Sequence, residues 1–477
     1  MSFISNISTR FLMSAGTKFM PFADAASADL PLSRLLRLSL FQISVGMATA
    51  LLVGTLNRVM IVELGVSATI VSAMVAIPLL FAPLRAFIGF RSDRHRSALG
   101  WRRVPFIWFG TMVQFAGLSI MPFALLLLSD GADVPIWFST AAGALAFLLV
   151  GAGLQVTQTA GLALATDLSP EQKRPRVVAL MYVTLLAGMM ISSVVFYFAL
   201  ADFSPTRLIQ VIQSAAMVTI GLNIIALWKQ EARDRARAMA AAEPQIPFRV
   251  AWAMFTARPH AKRFLLAVFL GTLAFNMQDI VLEPYGGEVL GLSVSATTFL
   301  TALLASGALL AFAFAAYLLT RGIDPYRLAA YGVVLGLPGF AMVLLAAPVE
   351  STVLFRIGAF VIGFAGGMFS VGTLTAAMGL DQSANGLALG AWGAVQATGA
   401  GLAMVVGGAL QEFIASIAAK GLLGKAFEGN APAYGVVYNF EILLLFLTLI
   451  VIGPLARHWR AADFKPSAKF GLGELPS

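Results

Sequence analysis

The stretch RAFIGFRSDRHRSALGWRR, residues Arg85–Arg103, decides the architecture of this chain. The stretch contains six arginines and one acid, Asp93, and it joins an apolar run that ends near Gly89 to another that starts near Val104. A short cationic connection between two apolar runs is typical of a loop at a membrane surface, and such loops favour the cytoplasmic side. The stretch therefore predicts a polytopic membrane protein and also its orientation.

The composition points the same way. Of the 477 residues, 59% are hydrophobic and 12% are charged, with a mean hydropathy of +0.86, which excludes a soluble protein. The formal net charge of +9 is concentrated in connections between apolar runs, so we expect membrane lipids rather than nucleic acid as partners. The chain has no cysteine, which excludes disulfides, thiolate metal sites and cysteine nucleophiles.

Twelve apolar runs approach the roughly 20 residues that a helix needs to cross a bilayer. They cover residues 38–57, 67–89, 104–128, 136–165, 176–200, 207–228, 264–283, 294–319, 326–347, 351–378, 383–411 and 437–457. We therefore predict an all-α polytopic membrane protein. Its predicted parts are an N-terminal segment (1–37), a six-helix bundle (38–228), a linker (229–263), a second six-helix bundle (264–457) and a tail (458–477).

Basic residues at the ends of the apolar runs orient the chain. Arg34 and Arg37 precede the first run, and Lys173 and Arg174 follow the fourth, whereas the connections on the opposite side are acidic or nearly neutral. Because basic residues are enriched in cytoplasmic loops, we expect both termini and the linker to be cytoplasmic.

The two groups of six runs are weakly similar to each other. GLALATDLSPEQKRPRVVALMYV (161–183) has a counterpart in LTAAMGLDQSANGLALGAWGAV (374–395), and each contains an aspartate, Asp167 or Asp381, before a short polar turn. Two repeated halves related by an axis normal to the membrane describe the major facilitator architecture. We therefore predict twelve transmembrane helices arranged as two pseudo-symmetric six-helix bundles.

The densest group of polar residues within an apolar run is Asn276, Gln278, Asp279 and Glu283 in the seventh run. A polar side chain is costly in hydrocarbon, so such a group requires a partner or a function. Asp279 and Glu283 are four residues apart and share a helix face, where they could share a proton, bind a cation or accept a hydrogen bond from a substrate. For Glu283 we expect a simpler role, with Glu283-Pro284 ending the helix at a wet interface.

Gln155 and Gln158 in the fourth run are three residues apart and face roughly one way. They could join helices through hydrogen bonds or line a central cavity, and both alternatives stay open. Other polar residues are isolated along the apolar runs, and we expect them to serve helix packing or the membrane interface. These are Gln42, Gln114, Asn223, Arg356, Gln396 and Glu441.

The three histidines, His95, His260 and His458, fall in predicted loops or at a helix end. A metal-centred pigment inside the bundle would therefore need an amide, a carboxylate, a backbone carbonyl or water as its axial ligand. The sequence contains no Walker motif, no GxSxG and no metal-ligand spacing. We predict no catalytic residue and no metal site, and we do not expect an enzyme.

Four separated motifs resemble the bacteriochlorophyll delivery family of the major facilitator superfamily, over about residues 35 to 400. They are FQISVGMATALLVGTLNRVMIVELGV (41–66), PLRAFIGFRSDRHRSALGWRRVPFIWFGT (83–111), GLALATDL (161–168) and AFNMQDIVLEPYGGEVLGL (274–292). Asp93 lies where major facilitators place an acid that can pair across the two halves. We therefore expect a cytoplasmic latch formed by Arg85, Asp93, Arg94 and Asp167.

The resemblance implies a protein that assembles light-harvesting antennae in the inner, intracytoplasmic photosynthetic membrane. It would deliver bacteriochlorophyll to antenna polypeptides as a transient cargo, with no permanent cofactor. The implied partners are the light-harvesting α and β polypeptides, the reaction centre and bacteriochlorophyll synthase. The extended N-terminus favours the core antenna (LH1) over the peripheral antenna (LH2). The candidate residues for pigment or substrate binding are Gln155, Gln158, Asn276, Gln278, Asp279 and Glu283.

Two other functions stay open from the sequence. One is a proton- or cation-coupled secondary transporter of a small solute, with Asp279 or Glu283 as the coupling acid. The other is a scaffold that recruits antenna subunits without binding pigment.

Overall fold

The structure is a computed structural model that describes residues 30–80, 101, 103–129, 134–170, 173–231, 260–380, 387–421 and 429–458. These residues form twelve helices and no strand. The helices are α1 (Leu32–Glu63), α2 (Ala68–Leu80), α3 (Val104–Leu128), α4 (Ile136–Asp167), α5 (Arg174–Ala199), α6 (Pro205–Leu227), α7 (Ala261–Glu288), α8 (Val294–Thr320), α9 (Pro325–Ala346), α10 (Thr352–Leu380), α11 (Leu387–Ala419) and α12 (Ala431–His458). Within the described residues, all except α2 are long and apolar enough to span a membrane. The predicted all-α, multi-pass membrane fold is confirmed.

The first helix begins earlier than the sequence predicts, at Leu32 instead of residue 38. The hydropathy of the chain marks only the part of a helix that lies in hydrocarbon, so charged residues at its end are missed. Here the Arg34 guanidinium donates to the Gln230 side chain, with Nε 3.2 Å from Oε1, and to the Gln230 backbone oxygen. This pairing joins the start of α1 to the chain just after α6.

The same effect lengthens two helices of the second half. The seventh helix covers Ala261–Glu288 instead of 264–283, and the twelfth begins at Ala431 instead of 437. Long helices protrude from or tilt within the bilayer, so apolar runs underestimate their length. The seventh helix is also longer for a specific reason, a hydrogen bond from another helix that is described below.

The twelve helices form two bundles, α1–α6 and α7–α12, as predicted. The bundles contact each other mainly where α2 packs against α11 and where α5 packs against α8. If each helix is replaced by its counterpart six positions away in the other half, the α2–α11 contact becomes the α8–α5 contact. This is the pseudo-twofold relation expected of two repeated halves. A Cβ added at Gly408 would lie 2.7 Å from the Ala68 carbonyl oxygen, so glycine permits the close approach of α11 to α2.

Contacts between helix ends define the two sides of the molecule. Near the N-terminus of α7, Arg263 Nε donates to the Val451 carbonyl oxygen at 2.8 Å, close to the end of α12. At the other end of α7, Asn430 Nδ2 lies 3.0 Å from Glu288 Oε2. We call the side on which α1 begins and α12 ends the terminal side, and the opposite side the far side.

Candidate functional site

A cavity of about 480 Å³ lies between the two bundles, at mid-depth along their helices. Its walls come from α1, α2, α4 and α5 of the first half and from α7, α8, α10 and α11 of the second. Most of the lining side chains are apolar, and several glycines and alanines of α8, α10 and α11 widen it. The volume falls within the range of about 300–1,000 Å³ that is usual for small-molecule sites.

All six predicted binding residues line this cavity. The structure places two of them on α4 and four on α7, facing each other across the space between the halves. They are Gln155, Gln158, Asn276, Gln278, Asp279 and Glu283. The three- and four-residue spacings in the sequence therefore correspond to shared faces directed at one site. Their role in binding a ligand stays a prediction.

An interruption in α7 positions the polar group of this helix. The regular helix ends at Asn276 and starts again at Gln278, with Met277 between the two segments. Met277 keeps helical dihedral angles, with φ −64° and ψ −38°, so the backbone does not unwind here and only the regular pattern of helical hydrogen bonds is interrupted. In this chain the interruption lies on the cavity wall.

A proline in the second segment of α7 is stabilised from the other half of the protein. Pro284 has no N–H, so the carbonyl of Ile280, four residues earlier, lacks its helical donor. Asn57 of α1 supplies one: its Nδ2 lies 3.0 Å from the Ile280 oxygen and 3.3 Å from the Asp279 oxygen. The helix can therefore continue past the proline to Glu288.

The expected wet position of Glu283 is wrong. Its side chain is only 1% exposed, and the Thr301 hydroxyl donates to Glu283 Oε1 at 2.9 Å. Within the described residues, Glu283 Oε2 has no hydrogen-bond partner. Asp279 is half-buried and accepts a hydrogen bond from Gln278 Nε2. The carboxyl groups of this wall thus lie inside the protein, held by neutral donors.

A family model described as PUCC protein matches residues 55–459, which include most of the cavity walls. The chain belongs to this family. It is 54% identical to Protein PucC of Rhodovulum sulfidophilum over 87% of this chain and 92% of that protein. It is also 51% identical to a Rhodobacter capsulatus protein described only by its place in the puhA-bchM intergenic region, over 99% of this chain and 100% of that protein.

Solved transporters share the fold of this PUCC family member. A bacterial homologue of the human lysosomal transporter Spinster, in an inward-facing and unoccupied conformation, aligns with a TM-score of 0.68 over 91% of this chain and 98% of that one. A POT family transporter in complex with a thioalcohol-conjugated peptide aligns with a TM-score of 0.65 over 91% and 99%. Both are 14% identical to this chain, so the likeness confirms the major-facilitator-like fold alone.

On the far side of this PUCC family chain, polar contacts join the two halves, and we call these contacts the far-side seam. It comprises the Asn57 bonds, a 3.2 Å contact between the Thr55 and Thr298 hydroxyls, and a 3.1 Å bond from Arg58 to the Leu292 oxygen. The side chain of α11 residue Glu412 also accepts from the Thr69 N–H at 2.9 Å and from the Ser67 hydroxyl, capping α2. Sequence inspection missed the seam.

The predicted cytoplasmic latch is only partly visible. Arg85, Asp93 and Arg94 lie outside the described residues. Asp167 Oδ2 lies 3.0 Å from Arg103 Nε, and both residues belong to the first half. This ion pair joins the end of α4 to the start of α3, so it does not connect the two halves.

Other isolated polar residues divide between packing and the cavity. Asn223 Nδ2 donates to Thr111 Oγ1 at 2.8 Å, and Asn223 Oδ1 accepts from the Ser44 hydroxyl at 3.0 Å, so Asn223 joins three helices as expected. Gln396 of α11 instead lines the cavity, contrary to the expected packing role. Glu441 of α12 is 0% exposed, and in the described part of the chain neither of its carboxylate oxygens has a hydrogen-bond partner.

Proposed function

We propose that the protein assembles light-harvesting antennae by holding bacteriochlorophyll in the cavity between its halves and passing it to antenna polypeptides. The family match carries this proposal, because it extends over residues 55–459 and so includes most of the cavity. The pigment is a transient cargo that leaves chemically unchanged, so the role is not catalytic and requires no permanent cofactor.

The chemistry of the cavity supports a hydrophobic, neutral cargo. Its walls are mainly apolar, and no lysine, arginine or histidine is among the described residues that line it. The polar groups that do line it are largely amides and hydroxyls, which make weak, neutral contacts. A carrier benefits from weak contacts, because a site that binds too tightly does not release its cargo.

The proposed place of action is the inner, intracytoplasmic photosynthetic membrane, with both termini in the cytoplasm. The proposed partners are the antenna α and β polypeptides, with the reaction centre and bacteriochlorophyll synthase as further partners. We favour the core antenna (LH1) over the peripheral antenna (LH2) because of the N-terminal extension.

The test is the visible and near-infrared spectrum of the protein purified in detergent from pigment-producing cells, together with its co-purifying polypeptides. Wild type should carry bacteriochlorophyll and antenna subunits. Ala400→Trp, which places an indole in the cavity, should lose the pigment but still fold. Val195→Trp on the lipid-facing surface, where the native side chain is 56% exposed, is the matched control. A wild-type protein with neither pigment nor antenna subunits would refute the proposal.

A pigment-free scaffold predicts a different result. In a strain unable to make bacteriochlorophyll, a scaffold would still capture antenna subunits, and Ala400→Trp would leave that capture unchanged. Under our proposal, capture falls when pigment is missing or when the cavity is filled.

A second candidate function, cation-coupled transport of a small solute, is favoured by the buried carboxyl groups near α7. Glu283 and Glu441 have oxygens without partners among the described residues, and buried carboxylates of this kind occur at coupling-ion sites. The test is uptake into pigment-free proteoliposomes under a pH gradient. Transport that Glu283→Gln or Asp279→Asn abolishes would support this function, and no uptake would refute it.

A further inference from the structure

A hydrogen bond within the first segment of α7 fixes the orientation of one amide on the cavity wall. Asn276 ends the first segment of the helix and lines the cavity. Its Nδ2 donates to the Thr272 carbonyl oxygen at 2.8 Å. If the amide were flipped, Asn276 Oδ1 would face the Thr272 oxygen, and two acceptors would meet. The bond therefore places Nδ2 toward Thr272 and Oδ1 on the other side of the amide group. Among the described residues nothing donates to Asn276 Oδ1, which is left for a ligand.

The neighbouring acceptors of α7 are less suitable. Gln278 Oε1 and Glu283 Oε2 are buried within the protein and do not reach the cavity surface. Asp279 carries a formal negative charge when ionised and already accepts the Gln278 bond. Among the described α7 residues of the wall, Asn276 therefore presents the neutral amide oxygen that is both accessible and free of other hydrogen bonds.

We propose that Asn276 Oδ1 is the axial ligand of the central magnesium of a bacteriochlorin bound in the cavity. This inference rests on the proposed function, because only a magnesium pigment supplies the metal. Magnesium is a hard cation that prefers oxygen ligands, and the ring nitrogens leave an axial position open for one. A neutral amide oxygen holds the metal more weakly than a carboxylate, which suits a cargo that must be released.

A second amide is placed to contact the rim of the same ring. Gln396 of α11 lines the cavity and makes no hydrogen bond within the described part of the chain. Gly399 packs against Thr272, and α7 and α11 run in the same direction. Gln396 lies three residues before Gly399 and Asn276 four after Thr272, an offset of seven residues or ~10 Å along the helices. The Gln396 amide can therefore donate to a peripheral carbonyl while Asn276 binds the metal.

The test compares two pigments that differ only in the metal. The full chain, purified in detergent, is titrated with bacteriochlorophyll a and with bacteriopheophytin a, in which two protons replace magnesium. Wild type should bind the magnesium pigment about tenfold more tightly, a difference of about 1.4 kcal/mol. Asn276→Leu should weaken binding of bacteriochlorophyll alone and so abolish the preference. Gln396→Leu should weaken binding of both pigments by the same factor.

Three further variants keep the test decisive. Asn439→Leu removes the same kind of bond, from Nδ2 to the Gly435 oxygen at 2.8 Å, at an exposed site of α12, and should change neither affinity. Asp279→Asn should keep the preference for magnesium. Asn276→His, which retains a metal ligand, should also keep it, and it covers the case in which Asn276→Leu does not fold.

A preference that survives Asn276→Leu, or that Asp279→Asn abolishes, would overturn the assignment of the ligand. Wild type that binds both pigments equally would also overturn it, while leaving the proposed function intact. Wild type that binds neither pigment would instead overturn the proposed function, and the ligand assignment with it.

Discussion

Replacing Asn57 with leucine should open the far side of the protein. Asn57 is 0% exposed and donates to the Ile280 oxygen, which has no helical donor because residue 284 is proline. The variant would bury this carbonyl without a partner, at a cost of about 1–3 kcal/mol. Opening exposes the carbonyl to water and removes the cost, so the ratio of open to closed protein should rise roughly 5- to 150-fold.

The assay uses the natural lack of cysteine in this chain. Thr298→Cys introduces a single thiol at a seam position that is 0% exposed and lies 3.2 Å from the Thr55 hydroxyl. Its alkylation by a membrane-impermeant maleimide reports how often the far side opens. We expect Asn57→Leu to accelerate labelling by the factor given above.

A double-mutant cycle isolates the cause. Pro284→Ala returns an N–H to position 284, which can then donate to the Ile280 oxygen. In that background Asn57→Leu should have a much smaller effect, with a coupling energy of about 1–3 kcal/mol. If the effects of the two substitutions simply add, or if Asn57→Leu alone leaves labelling unchanged, then Asn57 does not replace the missing helical bond.

Three other expectations concern stability. Gly408→Ala places a Cβ 2.7 Å from a backbone oxygen of α2 and should lower Tm through a loss of about 1–3 kcal/mol, whereas Gly453→Ala, with nothing within 4 Å, should not lower it. Burial raises the pKa of Asp324, the N-cap of α9, above its ordinary 3.8, so its contribution to stability falls as pH rises through the raised pKa. Asp324→Asn keeps a capping side chain and should be at least as stable as wild type at neutral pH. Any advantage of the variant should disappear in unfolding scans at pH values below 3.8. Asp167→Asn breaks the half-exposed pair with Arg103 inside one half, so chemical denaturation should show a loss below about 1 kcal/mol and far-side labelling should stay constant.

Local patterns in the sequence predicted the helices and the cavity residues well. The hydrophobic runs located every described helix, because hydrocarbon requires a continuous apolar segment. The spacing of Gln155 and Gln158 on α4, and of Asp279 and Glu283 on α7, placed each pair on one face. These predictions depend only on residues within a single helix, where geometry is fixed by the helical repeat.

Features that depend on distant residues could not be predicted in this way. The end of α7 was expected at Pro284, but Asn57, 223 residues before Ile280, replaces the missing donor. The burial of Glu283 likewise depends on Thr301, on another helix. The sequence contained the relevant residues, but their partners emerge only when the two halves are assembled.

The far-side seam also determines what can drive the exchange of a cargo. While the seam is formed, a neutral cargo that exchanges only on the terminal side does not cross the membrane, so the membrane potential does no work on it. Under the proposed function, the direction of transfer would depend on mass action: pigment would move from this protein to an antenna that binds it more tightly. A tenfold preference for the acceptor needs a difference in binding free energy of only about 1.4 kcal/mol.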